Sequence, residues 1–344
     1  MVDVSHGNDK SNWFALASWK VCCVIVEKTD KIGLGVITYR RPDGLRRLLE
    51  SFAALTVPRG VEVVVLIAEN DQVLTIDALL AKLAHTFPFP VKSALEPEQG
   101  IPFARNRVLD MAAAEGCDYL TFVDDDDVVH HDWLLMLYTA CAGRGLDLVG
   151  GPITYKAPAG RKLTKQQNAV LYMNQQRGAN MLKGRTSMVA TPKEGEIPIY
   201  THNWMVRLAT QQAYGVRFDQ SFRFSGGSDA KFYEDFVAMG GKSGWSTDAR
   251  IYETWPPERL TYRYLFERMR DQQVIRSQLS STTPSLHKAL CGVLVSVIKA
   301  AVAVIRAPAT RHRSLARAAV DLGGAVGCFK AARGKLSQLY DPKG

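Results

Sequence analysis

The feature of the sequence with the clearest chemical potential is a run of four consecutive aspartates, Asp124 to Asp127. It follows an apolar, β-rich segment, residues 119–123, whose pattern predicts a buried strand. Clustered carboxylates repel one another, and a hard divalent cation such as Mg²⁺ or Mn²⁺ relieves that repulsion, usually with phosphate oxygens completing its coordination. Since alternate residues of an extended chain share a face, we expect Asp124 and Asp126 to point together and Asp125 to point away. A solvated acidic turn in front of a helix is the alternative interpretation.

Short β-rich runs alternate with helical patterns around this motif. The order predicts an α/β fold of βαβ units, with a largely parallel sheet that binds ligands outside the carboxyl ends of its strands. The predicted strands cover residues 32–39, 61–68, 118–123 and 147–154, and the predicted helices begin at Pro42 and cover 76–85 and 102–115. The residues expected along this edge of the sheet are Thr38, Arg40, Asn70, Asp71, Gly100, Arg105 and Asn106.

Three segments at these strand ends, IGLGVITYRRP, LIAEND and EQGIPFARN, together with FVDDDD resemble the family 2 glycosyltransferases. The resemblance covers residues 32–272 and implies the GT-A fold, a Rossmann-like, mostly parallel central sheet flanked by helices. It also implies an inverting enzyme that transfers a hexose from a nucleotide-diphosphate sugar, with a UDP-sugar as donor. Within the family, the bacterial exopolysaccharide enzymes of the succinoglycan type are the most similar. Their resemblance implies a glycan or lipid-linked oligosaccharide as acceptor.

The same resemblance implies roles for single residues. Those implied to hold the nucleoside are Thr38, Arg40, Asn70 and Asp71, and those implied to support its pocket are Gly100, Arg105 and Asn106. Asp124 and Asp126 are implied to bind the divalent metal, Mg²⁺ or Mn²⁺, and with Asp125 the diphosphate of the donor. Asn203, in the segment YTHNW, is implied to lie near the donor sugar.

A second motif, FRFSGGSDAKFYEDF, is similar to the acceptor-side motif of the family, in which Gly-Gly-Glu-Asp usually supplies the catalytic base. Ser228 stands at the glutamate position, so Asp229 is the expected base. Glu234 and Asp235 form a second candidate pair, and a helix N-cap is the structural alternative for Asp229.

One position departs from the family pattern. Members often carry a metal-binding histidine on the strand after the base, and Tyr252 occupies the matching place. Either the adjacent Glu253 supplies an oxygen ligand instead, or the metal is held by fewer protein groups and more of the diphosphate. Tyr252 itself is expected to be a core residue.

Three other functions remain open at this point. A haloacid-dehalogenase-like phosphatase would use Asp124 as nucleophile and Asp126 as acid/base, but that family carries its motif on the first strand, and two predicted strands precede it here. A nucleotidyltransferase could bind a nucleotide and a metal on such a sheet, but gives the Gly-Gly-Ser-Asp motif no role. The third possibility is a non-catalytic domain that binds a nucleotide sugar or a glycan.

Other polar segments are expected to be structural. His130, His131 and Asp132 predict a surface turn and a helix cap. A helix over residues 258–272 is predicted to present a solvated basic face, made of Arg259, Arg263, Arg268 and Arg270. Periodicity fades over residues 156–199, which predicts loops or an irregular cover over the sheet.

Composition indicates a globular, reduced, cytosolic protein. The chain has 344 residues, 47% of them hydrophobic, and its six cysteines show no CxxC spacing. The formal charge is +9, but residues 282–344 hold ten of the 43 basic and two of the 34 acidic residues, so the remainder is nearly neutral. Nucleic acid is therefore not an expected partner.

We expect four regions: an N-terminal extension (1–31), a nucleotide-sugar-binding half (32–155), an acceptor-binding half (156–280) and a basic helical tail (281–344). Within the extension, residues 13–26 predict a leading strand or an over-long start rather than a secretory signal. In the tail, the apolar run 289–305 is shorter than the ~20 residues that a spanning helix needs. Bordered by basic residues, it predicts insertion into an anionic leaflet, hence a peripheral location on the inner face of the cytoplasmic membrane. A buried helix is the alternative.

Overall fold

The structure, a computed structural model, describes residues 29–199, 202–280, 284–335 and 337. The leading strand predicted within residues 13–26 lies outside these residues. The strands are β1 (Asp30–Thr38), β2 (Val61–Glu69), β3 (Val91–Leu95), β4 (Tyr119–Asp124), β5 (Asp127–Val129), β6 (Leu148–Gly150), β7 (Ile153–Lys156), β8 (Trp204–Arg207), β9 (Ser243–Trp245) and β10 (Ile251–Thr254). The helices are α1 (Pro42–Phe52), α2 (Asp77–Leu83), α3 (Ile101–Ala114), α4 (Trp133–Gly143), α5 (Lys165–Thr186), α6 (Leu208–Tyr214), α7 (Ser228–Ala238), α8 (Tyr262–Leu279), α9 (Leu286–Arg306) and α10 (Arg313–Ala332).

A seven-stranded sheet in the order β3-β2-β1-β4-β8-β6-β9 forms the centre of the fold. β1 pairs in parallel with β2 and β4, and β2 pairs in parallel with β3. Only β8 runs against its two neighbours, β4 and β6. The predicted mostly parallel sheet is confirmed, and both predicted halves contribute to it, because β8 and β9 come from the second half.

A smaller sheet, in the order β5-β10-β7, lies beside the aspartate run. β5 continues directly from the turn after β4 and pairs antiparallel with β10. In this register Glu253 lies opposite Asp127. Two residues 126 positions apart in sequence are thereby fixed side by side.

Apolar side chains cover both faces of the central sheet. On one face α1 buries the stripe Leu45, Leu48, Leu49 and Phe52, and Phe52 stacks on Trp133 of α4 at 6.0 Å. Pro42 suits the first turn of α1 because a proline lacks only an N–H that is unsatisfied there. The other face is covered by α3 and α7, with an aromatic cluster between them.

The structure corrects three predicted elements. The irregular cover expected over residues 156–199 contains the 22-residue helix α5. The single strand expected over 147–154 is divided into β6 and β7, which belong to different sheets. The predicted helix 258–272 is in fact a short 3₁₀ turn, Pro257–Arg259, followed by α8.

The helical tail packs on α8. Gly323 and Gly327 of α10 lie against the backbone of α8, where an added Cβ would come within 2.4 Å of a carbonyl oxygen. α9 then packs on α10, and 17% of its most apolar 18-residue window is buried. Because α9 has 21 residues and a mean hydropathy of 2.1 over this window, it is long and apolar enough to cross a membrane. The expectation that this apolar segment is too short to span is therefore wrong.

Candidate active site

The aspartate run forms a tight turn between β4 and β5. Asp125 points inward, where its carboxylate accepts hydrogen bonds from Thr38 Oγ1 (2.7 Å) and from the Arg41 guanidinium (3.2 Å). The side chains of Asp124 and Asp126 remain 39% and 25% exposed. Asp125 is thus more buried than Asp124 and Asp126, but the same Arg41 nitrogen contacts both Asp125 and Asp126, and the chain forms a turn here instead of the expected extended strand.

Burial makes the Asp125 carboxyl group a weaker acid than usual. It raises the pKa of the carboxyl group to about 6, although Arg41 and the Thr38 hydroxyl act in the opposite direction. The neighbouring charges of Asp126 and Asp124 raise the pKa further. A cation beside this turn would favour the ionised form of all three carboxylates.

Below the turn lies a buried group of two carboxylates and one imidazole. Asp127 is fully buried and Glu253 is 5% exposed, and the His202 imidazole lies between them, 3.2 Å from Asp127 Oδ2 and 3.9 Å from Glu253 Oε2. The other imidazole nitrogen is 3.6 Å from Asp124 Oδ2. Burial alone would lower the pKa of His202, but the charges of Asp127 and Asp124 raise it well above 6.5.

The chemistry of the two buried carboxylates suits a divalent cation. Asp127 Oδ1 and Glu253 Oε2 are buried and accept no hydrogen bond from any residue that the structure describes. Buried carboxylate oxygens are costly when unpaired, and oxygen is the preferred ligand of Mg²⁺ and Mn²⁺. The exposed carboxylates of Asp124 and Asp126 supply ligand oxygens of the same type.

Two arginines flank the exposed carboxylates. Arg41 is 3.1 Å from Asp126 Oδ2, and Arg259 is 3.8 Å from the same atom and 3.9 Å from Glu253 Oε1. The prediction that Arg259 lies on a solvated helix face is wrong, because the 3₁₀ turn before α8 directs it to the site. Arg41 was not predicted to be a site residue, although its place between β1 and α1, within the motif TYRRP, was a signal.

The predicted nucleoside-binding residues meet at the ends of β1 and β2. Arg40 pairs with both carboxylate oxygens of the buried Asp71, at 2.6 and 3.2 Å. The hydrogen bond from Arg40 holds the pKa of Asp71 below its usual value. Arg40 also lies over the ring of Tyr39, which is 40% exposed and accessible to a stacked base. Contact of these residues with a nucleoside stays a prediction.

Asn70 and Gly100 shape the adjoining loop. The Asn70 amide donates to the carbonyls of Glu96 and Glu98, and its oxygen accepts from the Gly100 N–H at 2.8 Å. Gly100 has φ of 140°, and an added Cβ would lie 2.7 Å from the Arg223 side chain, so only glycine fits there. Asn70 thus fixes the loop, and direct contact with the donor stays a prediction.

Arg105 and Asn106 connect the aspartate turn to the acceptor-side motif. Asn106 bonds both backbone groups of Phe218, at 2.9 and 3.0 Å. Arg105 is 3.8 Å from Asp124 Oδ1, and its other terminal nitrogen is 3.4 Å from Ser228 Oγ. One buried guanidinium therefore bridges the aspartate turn and the residue next to Asp229.

Asp229 lies in the first turn of α7, whose N-cap is Gly227. The N-cap alternative for Asp229 is therefore wrong. Within the described parts of the chain, the half-buried Asp229 carboxylate makes no hydrogen bond or ion pair. By contrast, Asp235 pairs with Lys231 one turn along the helix. Of these two aspartates, Asp229 is the one whose carboxylate remains available to accept a proton.

Asn203 requires a correction. It is fully buried, its oxygen accepts from Trp133 Nε1 at 2.7 Å, and its amide donates to the carbonyls of Pro152 and Ala249. With its oxygen and its amide engaged by the protein, it has no surface for a donor sugar. Its role is to fix the segment that presents His202, the neighbouring residue that sequence reasoning did not single out.

The remaining expectations are met in part. Tyr252 is half-buried, with the Lys156 ammonium 3.3 Å from its ring centre. His130, His131 and Asp132 form a turn at the N-cap of α4, but Asp132 makes no capping hydrogen bond and instead accepts from Thr56. Their ligating atoms lie within 4.8 Å of one another, so a metal-compatible group exists there too.

A mostly parallel sheet with an aspartate turn at its strand ends, and an available carboxylate on a helix that is linked to this turn, is the architecture of the GT-A glycosyltransferases. The sequence model of Glycosyl transferase family 2 matches residues 34–207. The chain is 30% identical over 243 residues to the succinoglycan biosynthesis protein ExoM of Rhizobium meliloti (strain 1021), which is 70% of this chain and 72% of ExoM. The chain belongs to glycosyl transferase family 2, and this membership replaces the phosphatase and nucleotidyltransferase alternatives.

Among solved structures, the chain is similar to S. aureus TarS 1–349 in complex with UDP, with 15% identity and a TM-score of 0.48, covering 89% of this chain and 92% of that one. The TarS 1–349 complex with UDP-GlcNAc gives 16% identity and a TM-score of 0.47 over the same shares. The chain spans 42% of another TarS structure, with 18% identity and a TM-score of 0.46.

Proposed function

We propose that this protein is an inverting, metal-dependent hexosyltransferase that moves a sugar from a UDP-sugar to a hydroxyl group of a glycan or lipid-linked oligosaccharide. The observation that carries the proposal is the bridge through Arg105, which links the aspartate turn to the start of α7, where the Asp229 carboxylate is available. The similarity to ExoM, a protein named for succinoglycan biosynthesis, supports a role in bacterial polysaccharide synthesis.

The residues proposed to hold Mg²⁺ or Mn²⁺ are Asp124 and Asp126, with Glu253 beneath them. When bound, the ion neutralises charge that develops on the departing nucleotide diphosphate. Arg41 and Arg259, which flank Asp126, are positioned to place further positive charge on the same phosphates. Glu253 is held in place by Trp255, whose indole N–H donates to Glu253 Oε1 at 2.7 Å.

Asp229 is proposed as the general base. A carboxylate without a cationic partner keeps its capacity to accept the proton of the acceptor hydroxyl as the new glycosidic bond forms. Attack on the face opposite the leaving diphosphate inverts the anomeric configuration. Arg105 keeps the aspartate turn and the base-bearing helix at a constant spacing, which such an in-line reaction requires.

The test is sugar transfer by Asp229→Asn, with Asp235→Asn as the matched control on the same helix. A general base contributes roughly 10²–10⁴-fold, so Asp229→Asn should lose at least about 100-fold in turnover and keep its UDP affinity. Asp235→Asn should lose less than about threefold, because its loss removes only a surface ion pair. If Asp235→Asn is the inactive variant, the base is misassigned.

Two measurements separate the remaining alternatives. Release of nucleoside diphosphate from a panel of nucleotide sugars identifies the donor, and the proton NMR spectrum of the first product reports its anomeric configuration. Calorimetric binding of a nucleotide sugar without any release or transfer would favour the non-catalytic binding domain. Retention of the donor configuration in the product would contradict the single displacement.

We also propose that the enzyme is cytoplasmic and associates peripherally with the inner face of the membrane, where a lipid-linked acceptor would be available. The support is the exposed apolar surface of α9 together with the basic charge of the tail. Helices of this length and hydropathy also occur in the cores of soluble proteins, but such helices are mostly buried, whereas 17% of the apolar window of α9 is buried.

A further inference from the structure

The tail helix α9 exposes an apolar surface that the protein itself leaves uncovered. Its buried residues are spaced every seven positions, at Ala289, Ser296 and Ala303, and form one narrow stripe. Ser296 donates to the Asp321 carbonyl, and Ser314 donates to the Ala303 carbonyl, so this stripe faces α10. Nine of the ten large apolar side chains on α9 are exposed: Leu286, Leu290, Leu294, Val295, Val297, Ile298, Val302, Val304 and Ile305.

This surface is unusual for the molecule. Of the 13 large hydrophobic residues that are exposed in the described parts of the chain, nine lie on α9. Scattered exposed apolar residues need no explanation, but a contiguous apolar surface indicates a partner.

A groove of about 670 Å³ adjoins this surface, where the end of α9 turns into α10. Five of its lining residues are basic: Lys299, Arg306, Arg311, Arg313 and Arg317. Ile298 and Val302, both exposed, line it as well, so the groove opens onto the apolar surface. The site thus combines cations with hydrocarbon at its edge.

The charge in the groove is largely uncompensated. Arg317 pairs with Asp321 at 3.2 Å, and Arg313 lies over the ring of Tyr172. Lys299, Arg306 and Arg311 form no ion pair with any residue that the structure describes. Three exposed cations beside an apolar helix face complement a layer of phosphate groups that lies over hydrocarbon.

The packing of α9 decides its orientation. At about 1.5 Å per residue its 21 residues measure about 31 Å, enough to cross a bilayer. However, α9 lies along α10, which carries Arg317, Asp321 and Lys330 and packs on the polar helix α8. A spanning α9 would have to leave α10 or carry these charges into hydrocarbon, which is costly. Lying in the plane of the interface keeps the observed packing.

We propose that the α9–α10 hairpin is a lipid-docking surface, on which α9 lies in the plane of an anionic bilayer and the groove binds phospholipid phosphate groups through Lys299, Arg306 and Arg311. The inference deepens the membrane location in the proposed function and rests on it for its biological purpose. The docked end of the hairpin is close to the catalytic residues, because Tyr262, three residues after Arg259, donates to the His312 carbonyl. Docking would hold the active site near acceptors that are carried in the same bilayer.

The test is flotation of the full chain with vesicles of phosphatidylcholine alone and of phosphatidylcholine with 30% phosphatidylglycerol at low salt. The groove variant is Lys299→Gln/Arg306→Gln/Arg311→Gln. The control variant is Arg59→Gln/Lys82→Gln/Arg161→Gln, which removes the same charge from exposed residues outside the tail. Each basic residue near an anionic surface contributes about fivefold to partitioning, and three such contributions multiply to about 100-fold, so the groove variant should lose at least about tenfold. The control should lose less than threefold.

A second pair tests the apolar component. Ile298→Ser/Val302→Ser should reduce vesicle binding at least fivefold, whereas Val73→Ser/Met239→Ser, at two exposed apolar positions elsewhere, should not change it. Equal binding by the groove and control variants, or equal binding to both vesicle types, would overturn the inference. Binding that resists 1 M NaCl and alkaline carbonate would show a spanning helix instead.

Two further arms separate other occupants. If inorganic phosphate binds the lipid-free protein in the groove and prevents flotation at millimolar concentration, the site is one for a soluble phosphate and the inference fails. If the lipid-free protein is a dimer that Ile298→Ser/Val302→Ser dissociates, the apolar surface belongs to a second copy and the inference fails. The groove variant and the parent should transfer sugar to a soluble acceptor at the same rate. This result keeps a failure of the docking inference distinct from a failure of the proposed function.

Discussion

His202→Gln should destabilise the metal-free protein more than its position on an irregular segment suggests. The imidazole is 17% exposed and lies among Asp124, Asp127 and Glu253. At 3.2 Å and an effective dielectric constant near 20, one such ion pair has a Coulomb energy of about 5 kcal/mol, part of which burial of the two groups takes back. Removing one partner leaves the other charge buried. We therefore expect a loss of about 3 kcal/mol in the free energy of unfolding.

The loss should depend on pH in a defined direction. The pKa of His202 is raised in the folded state, so the imidazolium contributes its full stabilisation at and below its unfolded value of 6.5 and loses it as the pH rises through the folded value. The difference between parent and variant should be largest near pH 6.5 and should shrink toward alkaline pH.

The assay is urea unfolding in EDTA, followed by tryptophan fluorescence, at a series of pH values from 6.5 to 9.5. His131→Gln is the matched control, because that imidazole is 59% exposed and pairs with Asp132 in solvent at 2.9 Å. An exposed pair of this kind contributes about 0–1 kcal/mol. A loss below about 1 kcal/mol for His202→Gln, or a loss that does not change with pH, would refute a buried imidazolium.

Two further predictions concern the same cleft. Asp126→Ala should abolish the dependence of UDP binding on Mn²⁺ in calorimetry, and equal UDP affinity with and without EDTA in the parent would contradict the metal assignment. Asn106→Leu leaves the N–H and the carbonyl of Phe218 without their partner, so it should cost about 2–4 kcal/mol of unfolding free energy and lower turnover more than donor affinity. A variant with parental stability would show that water or another group replaces the amide.

Elements that local patterns define were predictable, whereas the long helix α5 was not. The stripe of α1 repeats at helical spacing, and β1 and β2 are continuous apolar runs. α5 buries a sparse set that includes Asn174 and Gly178, so it has almost no apolar periodicity. Its one local signal was the capping box of Thr164 and Gln167 at its start.

The candidate site was predictable where one motif carries it and not where separate segments converge. The aspartate run and the base motif are local, and both lie at the cleft. His202 and Glu253 meet only because β5 pairs with β10 and because Asn203 fastens the segment before β8. Arg259 was assigned to a helix face, although the consecutive prolines Pro256 and Pro257 signalled an interruption there.

Arg41, one of the two arginines beside the aspartate turn, leads to a prediction in which the affinities for two ligands change in opposite directions. Arg41 lies 3.2 Å from Asp125 and 3.1 Å from Asp126. In the ligand-free protein it therefore neutralises the carboxylate charge that a divalent cation would otherwise neutralise. A metal ion binding alone must displace this contact. When a nucleotide diphosphate binds as well, the guanidinium can turn to phosphate oxygens instead, which it matches in geometry and charge.

Arg41→Gln should therefore strengthen the binding of Mn²⁺ alone and weaken the binding of UDP in the presence of Mn²⁺. Since the guanidinium is 49% exposed, each effect should be modest, about two- to fivefold. Arg46→Gln on α1 is the control, because Arg46 is 46% exposed and pairs with Glu50 away from the turn, and it should change neither constant. Calorimetric titrations of Mn²⁺ without UDP, and of UDP with saturating Mn²⁺, measure both. If Arg41→Gln weakens both ligands alike, Arg41 supports the shape of the turn and does not exchange between carboxylate and phosphate.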